Sequence, residues 1–100
     1  MTESTAPLAL VDNTSDHQFE ATIDGHVALV QYSRDGRRLA ITHTEVPIEL
    51  EGRGVGSALM KAVLDRARSE GLEVMPFCPF ARTYLERHPE YADLVTRAMR

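Results

Sequence analysis

The sequence predicts an α+β fold, a mixed sheet whose antiparallel N-terminal strands lead into a β-α-β-α unit, with the layered character of a three-layer α/β domain. Three observations predict it. Apolar residues alternate with a period of two in the first half, they follow a helical period from Val55 onwards, and a short strand, 72–75, comes after that helix. The chain has 100 residues, 43% hydrophobic and 26% charged, which fits one domain and excludes a two-domain enzyme.

The N-terminal residues 1–15 are rich in Ser, Thr and small residues and are interpreted as a flexible leader, or as an edge strand formed around 8–11, with the domain at 16–100. They lack the basic and apolar regions of a signal peptide, and no stretch approaches the roughly 20 apolar residues of a membrane span. We therefore expect a soluble cytoplasmic protein with no membrane partner.

Charge and cysteine content restrict the possible ligands. Eleven Lys and Arg against fifteen Asp and Glu give a net charge of -4, the reverse of what a nucleic-acid-binding surface needs. The one cysteine, Cys78, cannot form an intramolecular disulfide, and with four scattered histidines it cannot supply a zinc knuckle. We expect no nucleic-acid partner and no metal.

Three strands are predicted in the first half of the domain. Residues 17–23 alternate between apolar and polar side chains, and Asp24-Gly25 forms a tight turn. The run 27–32 is apolar at consecutive positions, which predicts a strand covered on both faces. After a second turn at Asp35-Gly36, a third strand spans 39–46. If no bulge intervenes, one face of that strand carries Leu39, Ile41, His43 and Glu45.

The second half is predicted to be helix, strand and helix. A helix begins near Val55 and ends at Gly71, where glycine favours termination. The strand 72–75 follows this crossover and is therefore expected to be parallel to the third strand. Residues 81–87 form a second helix that stops before a proline, and a short turn lies around 92–95.

The glycine-rich turn before the first helix is the most informative segment; it has the sequence Glu51-Gly52-Arg53-Gly54-Val55-Gly56-Ser57-Ala58. Gly54 and Gly56 allow unusual dihedrals and a close ligand approach, and the first N–H groups of a helix attract an anion. A P-loop is excluded because Ser57 stands where it needs lysine. The dinucleotide fingerprint lacks its third glycine, and 100 residues cannot build its sheet. The Gln/Arg-x-x-Gly-x-Gly/Ala pattern for the pyrophosphate of coenzyme A remains, beside the alternative of a tight connection without a ligand.

With this turn, the chain resembles small single-domain N-acetyltransferases of the GNAT superfamily over roughly 19–95. The other segments that carry the resemblance are Thr44-Glu45-Val46-Pro47, Met75-Pro76-Phe77-Cys78-Pro79-Phe80, Tyr84, and Arg87-His88-Pro89-Glu90-Tyr91. The resemblance implies acetyl-CoA as acyl donor and two parallel strands that splay apart to admit its pantetheine arm. It implies cofactor contacts at Val46, Ile48, Arg53, Gly54, Val55, Gly56 and Ser57. Glu51 departs from the pattern by placing an acid at the Gln/Arg position.

Three chemical roles have candidate residues: the base, the proton donor and a covalent carrier of the acetyl group. Glu45, at the third-strand end, could accept a proton from the amine, with His43 as a second choice, although a solvated strand-end acid is the alternative. Tyr84 matches the position from which the superfamily protonates the departing thiolate, or it packs on the sheet. Cys78 could carry the acetyl group in a two-step transfer, or it is a small buried apolar residue.

The sequence therefore predicts an N-acetyltransferase that moves an acetyl group from acetyl-CoA to a small-molecule or protein amine. The alternatives are an acyl-CoA-binding sensor or regulatory domain with little or no catalysis, and a structural domain without a ligand. The chain is too short for the superfamily's usual N-terminal acceptor-binding helices, so the acceptor cannot be identified. Both a monomer and a homodimer are compatible with the sequence.

Overall fold

One mixed sheet organises the part of the chain that the computed structural model describes, residues 8–100. Its strands are β1 (Val11–Asn13), β2 (Gln18–Ile23), β3 (His26–Asp35), β4 (Arg38–Glu45) and β5 (Glu73–Pro76), and they lie side by side in that order. All neighbours are antiparallel except β4 and β5, which are parallel as expected. The first seven residues of the expected leader lie outside the described residues, and β1 occupies the sheet edge that follows them.

Two α-helices and three short 3₁₀ helices complete the fold. Helix α1 (Val55–Ser69) connects β4 to β5, and α2 (Pro79–Arg87) follows β5. The 3₁₀ helices span Ile48–Leu50, Pro89–Leu94 and Arg97–Met99. Because the buried residues of both helices and of the 89–94 segment join those of the sheet in one core cluster, the glycine turn and the start of α2 are held on a common scaffold.

The β2–β3 hairpin has the turn that its sequence predicts. Asp24 and Gly25 both have positive φ, 52° and 78°, in the two-residue loop between Ile23 and its partner His26. Two positive φ values define the type I′ turn, whose twist matches that of the flanking strands. The hairpin register, with Phe19 opposite Val30 and Ala21 opposite Ala28, therefore directs these four residues to the buried face.

The expectation that β3 is covered on both faces is wrong. Ala28, Val30 and Tyr32 are buried, but Val27 is 44% exposed and Gln31 is exposed. An uninterrupted apolar run is typical of doubly covered strands. In this chain the helices pack on the face of Val30, and the β3 residues between the buried ones remain accessible. The sheet thus has an accessible face beside the end of β4.

A bulge in β4 changes which residues share a face. Gln31 pairs with His43 but the next residue of β3, Tyr32, pairs with Ile41, so Thr42 is the extra residue. Leu39 and Ile41 lie on the buried face as expected. Beyond the bulge the alternation is reversed, because Thr44 pairs with the buried Val30. The expectation that His43 and Glu45 share the face of Leu39 and Ile41 therefore fails, since both lie on the opposite face.

Candidate functional site

The parallel strands β4 and β5 separate at the edge of the sheet next to α1. Their pairing ends with Ile41 opposite Pro76, whereas β4 continues for four more residues to Glu45. The N–H groups of Phe77 and Cys78 both donate to the carbonyl oxygen of Ile41, at 3.0 Å each, so the chain turns away from β4 at that point. The backbone of β4 after Ile41 thus has no β5 partner, and an opening is left between the two strands.

The glycine turn presents the N-terminus of α1 at this opening. Gly54 is the N-cap, with φ 74° and ψ 15°, a left-handed conformation that other residues adopt only with strain. No side chain caps the helix at this end. The N–H groups of Val55, Gly56 and Ser57 precede the first intrahelical hydrogen bond, from Ala58 to Gly54, and they are free to bind an anion.

Position 56 requires glycine because other side chains pack closely against it, not because its backbone dihedrals are unusual. It is helical, which corrects the expectation that its backbone is unusual. A Cβ atom built on it would lie 2.9 Å from Cζ of Phe80 and 3.5 Å from Cγ2 of Val46. Phe80 is the second residue of α2 and Val46 follows β4 directly, so Gly56 is where these two elements and α1 meet. A side chain at this position would enter the space between them.

The charged residues of the glycine turn differ in their environments. The Arg53 guanidinium forms an ion pair with Asp24 of the β2–β3 turn, with Nη1 and Oδ2 2.8 Å apart, and both side chains are half exposed or more. Such an exposed ion pair contributes about 0–1 kcal/mol to folding stability. It can therefore open when a phosphate competes for the guanidinium. Glu51 is exposed at the start of the turn. The glycine turn therefore brings together one arginine and two carboxylates, those of Asp24 and Glu51.

In the segment after β4, Val46 and Ile48 differ in the backbone groups that they can offer to a ligand. Pro47 is extended, with φ -57° and ψ 147°, but Ile48 begins a 3₁₀ helix and its carbonyl accepts the N–H of Glu51 at 3.1 Å. A ligand amide can therefore pair with the backbone at Val46 as with a strand, but the carbonyl of Ile48 is already used. The Ile48 side chain is 76% exposed beside this backbone.

Cys78 and Glu45 lie on opposite sides of the end of β4. Cys78 is the buried N-cap of α2, and its Sγ is 3.5 Å from Oγ1 of Thr44, within hydrogen-bond distance. Glu45 follows Thr44 and points to the other face, where its carboxylate lies 3.5 Å from Nε2 of His43 and is largely exposed. Hence Cys78 and Glu45, two of the predicted catalytic residues, lie on opposite sides of β4 and do not contact each other.

Tyr84 lies in a third place, at the interface between α1 and α2. It is 7% exposed, and its ring stacks on His88 with centroids 3.8 Å apart. Burial raises its pKa above the ordinary tyrosine value. Tyr84 comes six residues after Cys78, which places it about 9 Å farther along the helix and about 120° around it. The structure therefore does not bring Tyr84 and Cys78 to one point.

A buried tyrosine in the 3₁₀ helix after α2 is hydrogen-bonded to α1 and so helps to fix the end of α2. The Tyr91 hydroxyl donates to Oδ1 of Asp65 at 2.6 Å, and Lys61 donates to Oδ2 of the same carboxylate at 2.9 Å. Burial and this hydrogen bond raise the pKa of Tyr91 to about 12. Burial alone would raise the pKa of Asp65, but the bonds from Tyr91 and Lys61 outweigh it and lower that pKa.

Two cavities lie on different faces of α2. The smaller, about 110 Å³, is at the side of the α1 N-terminus and is lined by Ser57, Phe80, Thr83, Tyr84, Arg87 and His88. The larger, about 350 Å³, lies between α2 and the C-terminal segment and contains none of the predicted site residues. In residues 8–100 no three His, Cys, Asp or Glu side chains are grouped as metal ligands. No helix in that range is both long and apolar enough to cross a membrane.

Two contacts of the site were missed by sequence reasoning. Thr44 was noted as part of a motif, but its contact with Cys78 depends on the bulge at Thr42. Phe80 covers Gly56 only because α2 returns over α1. The sequence signal for the Phe80 contact was an aromatic residue directly before a predicted helix, in the segment Cys78-Pro79-Phe80.

Comparisons with known proteins find related sequences and a related structure. The model of the family described as GCN5-related N-acetyl-transferase matches residues 18–94. Protein NATD1 of Mus musculus and of Homo sapiens are each 30% identical over 90 residues, 87% of this chain and 82% and 80% of theirs. The NMR solution structure of a GCN5-like protein from Staphylococcus aureus superposes with a TM-score of 0.68 and 32% identity, covering 92% of this chain and 91% of that one.

Proposed function

Since the chain belongs to the GCN5-related N-acetyltransferase family, we propose that it binds acetyl-CoA at the splayed end of β4 and transfers the acetyl group to an amine. The observation that carries the proposal is the coincidence of three features at one place. The backbone of β4 has no β5 partner after Ile41, the N-terminus of α1 has no side-chain cap, and Gly56 lets Phe80 and Val46 pack closely against that N-terminus. A ligand with amides and phosphates matches the first two features, and the third provides an apolar wall beside them.

The pyrophosphate of the cofactor would bind at the glycine turn. The N–H groups of Val55, Gly56 and Ser57 supply donors, and position 54 is in the αL conformation that favours glycine, so no side chain stands beside these donors. Arg53 exchanges Asp24 for a phosphate oxygen. Glu51 opposes binding through its charge, but it leaves the backbone donors intact.

The pantetheine arm would run along the part of β4 that has no β5 partner. Val46 follows β4 directly and precedes the extended Pro47, so its amide groups can pair with those of the arm in the manner of an added strand. At Ile48 only the N–H is available, because the carbonyl is engaged by Glu51. Phe80 and Val46 flank Gly56 and form the apolar wall of this channel.

Transfer to an amine requires removal of a proton. An amine whose ammonium form has a pKa near 10.4 is neutral in only about one part in a thousand at physiological pH. Deprotonating it therefore costs about 4 kcal/mol of free energy. Glu45, exposed on the accessible face of the sheet, is our candidate base, and His43 3.5 Å away can accept the proton in turn. In the one-step route, the acceptor would then approach β4 from the face opposite Cys78.

Cys78 allows a two-step route. Its sulfur would attack the thioester carbonyl, the carbon bond to the CoA sulfur would break, and the cysteine proton would pass to the departing thiolate. The amine would next attack the acetyl group on Cys78, and a proton from the amine would return to Sγ. Thr44, at 3.5 Å, can hold the thiol in position. Tyr84 as proton donor in the one-step route stays a prediction of the family resemblance.

A second candidate function is the binding of acyl-CoA without transfer. The separation of Glu45, Cys78 and Tyr84 favours it, because a direct transfer needs its acid and base at one reacting centre. In that case the domain acts as a sensor of acyl-CoA.

One experiment separates these candidates. Acetyl-CoA is added to the protein, the melting temperature is measured, and a panel of amines is analysed by mass spectrometry with Cys78→Ala as a parallel sample. A raised melting temperature with acetylated amines supports the transferase, and acetylated Cys78 in the wild type supports the two-step route. Stabilisation without product supports the sensor. No stabilisation at millimolar acetyl-CoA contradicts both.

A further inference from the structure

The small cavity between the first turn of α1 and α2 is lined by hydrogen-bond donors and by no carboxylate. Its six lining residues are those given above, and we refer to it as the Ser57–Arg87 pocket. Besides Phe80, every lining side chain carries a group that can donate a hydrogen bond. In a chain with fifteen acidic residues and a net charge of -4, a pocket without an acid is suited to an anion.

The charge of Arg87 is not compensated within residues 8–100. Most arginines in this range are engaged: Arg34, Arg38, Arg53, Arg66 and Arg68 form ion pairs with carboxylates, and Arg37 and Arg100 donate to carbonyl groups. Arg87 has neither an ion pair nor a hydrogen bond in the same range. Its planar fork of donors is therefore available at the rim of the pocket.

The hydroxyl of Tyr84 is a second group beside the pocket that has no partner in residues 8–100. The residue is 7% exposed, yet its hydroxyl has no hydrogen-bond partner in the described chain, while those of Tyr32 and Tyr91 donate to carboxylates. Thr96 is the one described residue with a buried side-chain polar atom that lacks a partner. The Tyr84 hydroxyl is therefore partly accessible, and Tyr84 is one of the residues that line the pocket.

The N-terminus of α1 contributes to the same pocket through Ser57. Ser57 is the third residue of the helix, so its N–H has no intrahelical partner and its hydroxyl is exposed beside it. The pocket therefore adjoins the glycine turn but has its own donors from α2. A ligand with one phosphate group at the turn can place a second one there.

We propose that the Ser57–Arg87 pocket binds a phosphomonoester dianion and that its natural occupant is the 3′-phosphate of coenzyme A. The inference rests on the proposed function, because coenzyme A carries both a pyrophosphate and a separate phosphomonoester on its ribose. A volume of about 110 Å³ accommodates a phosphate group and not a whole nucleoside. Arg87 supplies the charge, and Ser57, Thr83 and Tyr84 supply hydroxyl donors.

Calorimetric titration with coenzyme A and with dephospho-coenzyme A, which lacks only the 3′-phosphate, tests this assignment. We expect the wild type to prefer coenzyme A by about tenfold or more, the effect of one charge-assisted hydrogen bond. Arg87→Gln should reduce the preference to about one while the affinity for dephospho-coenzyme A is retained. Arg97→Gln is the matched control, because Arg97 is also exposed, has no partner in the described range and lies outside the pocket.

Tyr84→Phe distinguishes a phosphate-binding hydroxyl from a catalytic one. If the hydroxyl binds phosphate, the variant loses part of the preference for coenzyme A. An unchanged preference with a reduced transfer rate would contradict our assignment of Tyr84. Equal wild-type affinity for both ligands, or equal weakening of both by Arg87→Gln, would overturn the pocket and leave the proposed function standing. Binding of neither ligand would overturn both.

Discussion

Substitution of Gly56 by alanine tests the meeting of α1 and α2 at the proposed cofactor channel. Alanine in a helix is more favourable than glycine by about 0.5–1 kcal/mol. Its Cβ would lie 2.9 Å from Cζ of Phe80, so the ring must recede by about 0.6 Å to reach ordinary carbon contact near 3.5 Å. Moving a ring off its rotamer costs about 0.5–1.5 kcal/mol. The two effects offset each other, and we expect the free energy of unfolding of Gly56→Ala to stay near that of the wild type.

A double-mutant cycle isolates the contact. In a Phe80→Ala background no ring opposes the new methyl group, so Gly56→Ala should stabilise the protein by about 0.5–1 kcal/mol, as measured by urea unfolding. The coupling between the two positions is then about 1 kcal/mol. If Gly56→Ala stabilises both backgrounds equally, Phe80 does not lie over Gly56 and our placement of α2 is refuted. Since the Phe80 ring that must recede forms the wall of the proposed channel, Gly56→Ala should also weaken acetyl-CoA binding without loss of stability.

Three further predictions concern stability and charge. Tyr91→Phe should lower the free energy of unfolding by about 1.5 kcal/mol by removing the bond to Asp65, whereas Tyr84→Phe, which removes no internal bond, should change it little; equal losses in urea unfolding would contradict this. Because folding raises the pKa of Tyr91 to about 12, its contribution is complete below pH 10 and is lost as the pH rises from 10 to 12. The free energy of unfolding, measured at pH 8, 10 and 11, should therefore fall less for Tyr91→Phe than for the wild type as the pH rises. An identical fall in both proteins would refute the raised pKa of Tyr91 as the cause. Glu51→Gln should raise acetyl-CoA affinity about twofold to fivefold at low salt in calorimetry, an advantage that 1 M salt should abolish if it is electrostatic.

The elements of the fold were predictable where one local pattern decides them. Alternation defined β2, a helical period ending in Gly71 defined α1, and the parallel pairing of β5 followed from the crossover helix. The uncovered face of β3 was not predictable, because a run of apolar residues looks the same whether one or both faces are packed. The bulge at Thr42 depends on cross-strand register, for which the alternation within β4 gives no local signal.

The candidate site was predictable in its backbone and less so in its side chains. A glycine turn before a helix indicates an anion site by local geometry alone, and Gly54 has the left-handed conformation this requires. The Arg53–Asp24 pair, the contact of Phe80 with Gly56 and the contact of Thr44 with Cys78 all join segments distant in sequence. They depend on how α2 and the β2–β3 hairpin pack around the turn, which no local pattern encodes.

The most direct test of a cofactor site at the splayed end of β4 is an NMR titration of the ¹⁵N-labelled protein with acetyl-CoA. The backbone amides of Val46, Val55, Gly56 and Ser57 should show the largest chemical-shift changes, since they are the proposed donors to the pantetheine arm and the pyrophosphate. Leu85 and Met99, which line the larger cavity on the other face of α2, serve as the internal control and should change little. Shifts concentrated at Leu85 and Met99, or no shifts at millimolar acetyl-CoA, would contradict the site.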